Sequence, residues 1–118
     1  YQIYEAAYDS AWNKFSFHCY KFFFSFSLIY MIQYKNYRLL KAISLASKEY
    51  RAIKNVNQLE VNYDIKENKK VAFHIGRIET AKNNVSISTL QLLCEYFEIS
   101  LSDFMKRVEE IENSLKSK

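Results

Sequence analysis

The sequence predicts an all-α fold of five helices from residue 36 onward, and three observations support this. The chain of 118 residues has no proline and a single glycine, Gly76, so it lacks the residues on which tight turns and hairpins depend. Its apolar residues recur at alternating steps of three and four, which is the period of one helix face. Asparagines and serines precede several of these stretches, as helix N-caps do. A chain of this length makes one domain with an appendage.

The first predicted helix covers about residues 36–54, where the apolar positions form one helical stripe. Asn55-Val56-Asn57 then interrupts the pattern. Asn57 is a good N-cap for a short second helix, with Val61 and Ile65 facing inward. The stripe of the first helix consists of Leu39, Ile43, Ala46, Tyr50 and Ile53.

A polar connection and two further helices are predicted next. The run "KENKK" (66–70) has the composition of a connection, and Val71, Ile75 and Ile78 then step by four and three, as on a third helix. Either Ser86 or Ser88 caps a fourth helix. The inner face of that helix consists of Leu90, Leu93, Cys94 and Phe97.

The last predicted helix opens at Ser100-Leu101-Ser102-Asp103, which matches the capping box. Its apolar stripe extends beyond what one small domain needs, so this helix is also a candidate seam for a homodimer. The stripe consists of Leu101, Phe104, Val108, Ile111 and Leu115.

Residues 1–34 are interpreted as an aromatic-rich N-terminal extension. Spacing predicts a helix over residues 2–16, and alternation at residues 24–28 is also typical of a strand. Only 13 uncharged residues separate Lys21 from Lys35, whereas a membrane span needs about 20 apolar residues. A membrane contact through residues 15–34 is therefore disfavoured but left open. The extension could instead pack on the domain, or precede a natural start at Met31.

Charge and cysteine content narrow the function classes. The net charge is +4, and the window 66–82 holds five Lys or Arg against two Glu, a local excess of +3. Cys19 and Cys94 form no C-x-x-C motif, so neither a zinc site nor a disulfide framework is expected. No catalytic set and no cofactor motif emerge. We expect a cytoplasmic protein that is not an enzyme and needs no cofactor.

Two stretches resemble one known family. "IGRIETAKNNVSISTLQLLCEYFEISLSDFM" (75–105) is similar to the second half of the Cro/repressor-type (XRE-type) helix-turn-helix domain, and "KNVNQLEVNYDI" (54–65) resembles its first half. The resemblance covers about residues 47–112. It implies a five-helix lambda-repressor-like domain over residues 35–118. It also implies a transcriptional regulator that binds double-stranded DNA, often as a dimer.

The resemblance assigns roles to individual residues. His74 and Arg77 would face the major groove, where Arg77 could fork onto guanine O6 and N7. Arg51 and Glu79 would form a structural pair between the first helix and the recognition helix. Each polar residue also has a plain interpretation, because lysines are usually solvated and asparagines suit any turn. The residues implied to approach phosphates are Gln58, Lys69, Lys70, Lys82, Asn83 and Asn84.

The chain departs from the family pattern at several positions. "KENKK" lengthens the segment between Gln58 and Glu79, and Asn62 replaces a small alanine. Ala81 stands where a glycine is expected. Ala72 and Phe73 occupy places where the family carries polar base-reading side chains. An exposed aromatic suits a protein groove better than base edges, so a helix-turn-helix-shaped protein-interaction module is the alternative function.

Overall fold

Five α-helices make up the part of the chain that the computed structural model describes, residues 33–118. Within that range there is no β-strand, so the all-α prediction is confirmed for these residues. Lys35–Lys118 form one compact unit. The helices are α1 (Tyr37–Lys54), α2 (Gln58–Lys69), α3 (Ile75–Glu79), α4 (Ile87–Tyr96) and α5 (Leu101–Lys116).

Four of these helices begin at a side-chain cap that the sequence carries. In each case an amide or hydroxyl oxygen accepts a hydrogen bond from the backbone N–H three residues on, at 2.8–3.1 Å. Such a cap satisfies one of the N–H groups that the first helical turn leaves without a partner. Ser86 rather than Ser88 caps α4. The four caps are Asn36, Asn57, Ser86 and Ser100.

The core lies where α1 packs along α5 and against α3. Phe104 on α5 is completely buried, and Tyr50 of α1 lies against its ring at a centroid distance of 5.8 Å. Each fully buried large apolar side chain contributes roughly 1.5–3 kcal/mol to stability. The inward residues predicted for α2 and α4 are buried, namely Val61, Ile65, Leu90, Leu93, Cys94 and Phe97.

The prediction was wrong about where α2 ends and α3 begins. The helix α2 continues through most of "KENKK" to Lys69, because Glu and Lys are good helix formers and no glycine or proline interrupts them. Lys70 then adopts a left-handed conformation, which ends the helix. Val71 is therefore a loop residue with 40% of its surface exposed, and α3 starts only at Ile75.

The apolar stripes of α1 and α5 pack differently from the prediction. Ile53 is 78% exposed and does not belong to the core. The residues of α5 proposed for a dimer seam are occupied within the chain instead, because Val108 and Ile111 are buried and Leu115 packs partly against the core. The homodimer through α5 stays a prediction, and the three residues proposed for its seam already pack within the chain.

Several predictions fall on residues that the structure does not describe. The helix over 2–16 and the alternating segment 24–28 lie outside residues 33–118. The same is true of nearly all of residues 15–34, where a membrane contact was left open. Within the described residues, none of the helices combines the length and the hydrophobicity that crossing a bilayer requires.

Candidate functional site

The buried carboxylate of Glu79 ties the C-terminal end of α3 to Arg51 on α1, a contact that we name the clasp. Glu79 accepts hydrogen bonds from Arg51 Nε to Oε1 at 2.7 Å and from Arg51 Nη2 to Oε2 at 3.0 Å. The Glu79 side chain is 2% exposed and that of Arg51 is 19% exposed. The pair implied by the resemblance is thus in contact in the structure. A bidentate arginine–carboxylate pair fixes orientation as well as distance, so α3 cannot rotate freely relative to α1.

Two serines of α1 extend this clasp. Ser47 Oγ donates to Glu79 Oε1 at 3.2 Å, and Ser44 Oγ donates to the backbone carbonyl of Glu79 at 2.7 Å. Both serines are fully buried. Buried polar groups of this kind stabilise a fold only when their hydrogen bonds are satisfied, and here they hold the C-terminal end of α3 by both its side chain and its backbone.

Gln58 also forms a hydrogen bond with Glu79 and extends the clasp. Its Nε2 donates to Glu79 Oε2, because the first residue of α2 faces the last residue of α3. The side chain is half-buried. The amide N–H of Gln58 therefore makes a positioning contact inside the domain, and its phosphate contact stays a prediction.

Asn62 holds the other end of α3. Its Oδ1 accepts a hydrogen bond from the backbone N–H of Ile75 at 2.7 Å. His74, at the N-cap position of α3, makes no side-chain cap hydrogen bond, so Asn62 supplies the missing acceptor from the neighbouring helix. Asn62 thus has a structural role, since it ties α2 to the start of α3.

His74 precedes α3 and does not project from it. A Cβ atom added at Gly76 would lie 2.9 Å from His74 Cε1 and 3.0 Å from its Nδ1. The imidazole therefore lies over the first turn of α3, in space that the glycine leaves open. His74 is exposed, and its side chain makes no hydrogen bond within the described residues.

Three exposed cations near α3 have no acidic partner among the described residues. They are Lys66 at the end of α2, Arg77 on α3 and Lys82 in the loop before α4. Because Arg51 neutralises Glu79 inside the domain, the carboxylate does not offset Arg77 at the surface. Asn83 and Asn84 follow Lys82 in the same exposed loop.

Lys69 and Lys70 lie beside carboxylates within the domain, and their phosphate contacts stay predictions. Lys69 Nζ lies 2.9 Å from Glu95 Oε2 on α4, and Lys70 Nζ lies 3.9 Å from Glu67 Oε2. Both lysines therefore face carboxylates instead of presenting unpaired charge. Exposed pairs of this kind are worth about 0–1 kcal/mol, so a polyanion could compete for either lysine.

A surface groove of about 800 Å³ lies beside α3, between the loop before this helix and the loop after it. Its walls combine apolar side chains with basic and amide side chains. Val71, Phe73, Val85 and Leu92 are the main apolar contributors, and Lys66, His74 and Arg77 are the basic ones. None of the described residues that line the groove is an aspartate or glutamate.

Other groups behave as structural elements. Burial raises the pKa of the Cys94 thiol to about 11, so Cys94 is a poor nucleophile at neutral pH. Burial and the hydrogen bond to Asp64 raise the pKa of the Tyr96 hydroxyl to about 12. Within residues 33–118, no cluster of His, Cys, Asp and Glu could hold a metal ion.

Sequence reasoning missed the parts of the site that depend on the third dimension. No sequence pattern marks Ser44 and Ser47 as partners of Glu79, although both lie one turn or less from the predicted stripe of α1. The contact of Asn62 with Ile75 depends on the packing of α2 against α3. The groove gave no signal in the sequence, since its walls come from two loops and three helices.

The chain was compared with models of protein families, with curated proteins and with solved structures, and none of these comparisons found a match.

Proposed function

We propose that the protein is a DNA-binding transcriptional regulator of the Cro/repressor (XRE) type, in which α2 and α3 form the helix-turn-helix. The resemblance over residues 47–112 assigns α3 to the major groove of double-stranded DNA. The observation that carries the proposal is the exposure of Arg77 without an acidic partner among the described residues, on a short helix held at both ends. An oriented, unpaired arginine is the side chain best suited to fork onto guanine.

Exposed lysines near the two ends of α3 support contacts with DNA phosphates on both sides of this helix. Lys66 and Lys82 are exposed near the two ends of the α3 segment. Lysines and asparagine amides at such flanks donate to phosphate oxygens and set the register of a protein on the duplex. Each neutralised phosphate releases counterions, which makes the slope of log K against log salt steeper by roughly 0.9. Lys69 and Lys70 would add to this where they exchange Glu95 and Glu67 for a phosphate, and Asn83 and Asn84 follow Lys82 in the same exposed loop.

The short recognition element limits base reading. The helix α3 has five residues and carries one basic side chain, Arg77. Ala72 and Phe73, which precede it, offer no side-chain hydrogen-bond donor to base edges. We therefore expect specificity for one or two base pairs near Arg77 and largely sequence-independent affinity elsewhere. A bidentate arginine–guanine contact discriminates by about 1–3 kcal/mol.

A gel-shift titration with random duplex DNA at low salt tests this function. We expect micromolar binding that weakens steeply as salt is added. Arg77→Ala should reduce affinity about tenfold, as the loss of one bidentate contact does. Lys106→Ala is the matched control, because Lys106 is exposed on α5, away from α3, and has no acidic partner among the described residues.

Two results would contradict the proposal. One is the absence of binding at low micromolar protein in low salt. The other is an equal loss of affinity for Arg77→Ala and Lys106→Ala, which would mean that only net charge matters. Selection of bound duplexes from a random library then reports whether a guanine recurs, and Arg77→Ala should abolish that preference.

A further inference from the structure

We propose that the groove beside α3 binds a protein segment in which acidic residues flank apolar ones. The proposal rests on the groove alone and does not depend on the proposed binding of DNA. Its support comes from the apolar walls, from the sign of the charge around them and from the shape of the site.

The apolar walls are unusual for a surface that meets only phosphates. Val71 is 40% exposed in the loop before α3, and Phe73, Val85 and Leu92 also line the groove. None of these side chains can donate a hydrogen bond, so they add nothing to the recognition of a phosphate. Apolar and aromatic side chains in a pocket are instead the groups that anchor a partner's Leu or Phe at a protein interface.

Charge identifies the partner more closely. Lys66 and Arg77 line the groove with no acidic partner among the described residues, and His74 lines it beside them. The described lining residues include no carboxylate. Complementary charge favours a segment that carries Asp or Glu, whereas a basic segment would be repelled.

The shape of the groove favours a peptide over a duplex. Its volume of about 800 Å³ falls within the range of about 300–1,000 Å³ in which sites bury small ligands. DNA accepts a protruding helix into its own groove and has no narrow projection that could fill a concave, partly apolar site. A peptide does have such projections, in its side chains.

A random-peptide library displayed on phage and selected against the full chain tests the proposal. We expect the enriched peptides to carry Asp or Glu beside Leu, Ile or Phe. One enriched peptide, labelled with a fluorophore, then serves as the probe in anisotropy titrations. Charge reversal of its acidic residues to Lys should reduce affinity about tenfold or more.

Matched variants locate the binding site. Val71→Ser removes an exposed apolar group from the groove and should weaken peptide binding about fivefold, while Leu59→Ser is its control. Leu59 is 78% exposed on α2 and does not line the groove. Arg77→Glu should weaken peptide binding about tenfold, with Lys106→Glu as its control. Thermal melting of every variant verifies that it folds.

Three results would overturn the proposal. The first is no enrichment above a blank support, or enrichment of peptides without acidic residues. The second is unchanged peptide affinity in Val71→Ser. The third is an equal loss of peptide and duplex-DNA affinity in Val71→Ser, which would make the groove part of a nucleic-acid surface. A protein that binds such peptides but no DNA would contradict only the proposed function.

Discussion

Replacing Glu79 with alanine removes the centre of the clasp. The substitution deletes the acceptor for both hydrogen bonds from Arg51 and for those from Ser47 and Gln58. It leaves the arginine, whose side chain is 19% exposed, as a largely buried cation without its carboxylate. We therefore expect Glu79→Ala to lower the free energy of unfolding, and not only the affinity for a ligand.

The expected loss follows from the burial of the pair. Removing one partner of a buried ion pair costs about 3–5 kcal/mol. Because water still reaches part of Arg51, we expect the lower end of that range, about 3 kcal/mol. Domains of this size lose roughly 4–8 °C of melting temperature per kcal/mol, so the melting temperature should fall by roughly 12–24 °C.

The assay is thermal unfolding followed by far-ultraviolet circular dichroism, with Glu49→Ala as the control. Glu49 also accepts two hydrogen bonds from one arginine, at 2.8 Å each from Arg107. These two side chains are 43% and 41% exposed, so water replaces the lost contact and the shift should be several-fold smaller. The two variants differ in burial and in the partners left behind, because Glu79 also accepts from Ser47 and Gln58 while Arg107 keeps Glu110 as a second partner.

A second comparison separates the loss of the Arg51–Glu79 pair from the cost of leaving Arg51 buried without its carboxylate. The double variant Arg51→Met with Glu79→Leu leaves no unpaired buried charge, so it should be more stable than Glu79→Ala. Near-wild-type melting of Glu79→Ala, or a loss no larger than that of Glu49→Ala, would refute the reasoning about the clasp. It would also remove the support for an oriented α3.

Three further predictions concern local features. Asn62→Ala should destabilise the domain by about 1 kcal/mol in urea unfolding, because the N–H of Ile75 loses its cap acceptor. Ala81→Gly should raise the stability in the same assay by about 1 kcal/mol, since Ala81 has a left-handed φ of 57° that costs an alanine more than a glycine. The hydrogen bond from Arg107 holds the pKa of Glu49 below its ordinary value of 4.5. The pairing of Glu49 with Arg107 therefore stabilises the fold above pH 4.5, and this contribution is lost as the pH falls through the lowered pKa. Wild type should therefore lose more stability than Glu49→Gln between neutral pH and about pH 3. Equal acid sensitivity of the two proteins, or unchanged unfolding in either of the other variants, would contradict the respective argument.

The sequence by itself determined the helices and most of their starting points. The caps Asn57 and Ser100, the stripe of α5 and the stripe of α1 except Ile53 could be predicted because a helix depends on interactions between residues three or four apart. The contact between Arg51 and Glu79 was also anticipated, although only through the resemblance to a family. Spacing along the chain does not reveal a pair separated by 28 residues.

Only the tertiary structure decided how the candidate site is divided between structural and exposed groups. It turns Gln58 and Asn62 inwards to hold α3 and pairs Lys69 with Glu95, and it leaves Arg77 at the surface. It also covers the long stripe of α5 with α1 and forms the groove from separate loops. These outcomes depend on contacts between distant parts of the chain, whose geometry is set by packing and not by local periodicity.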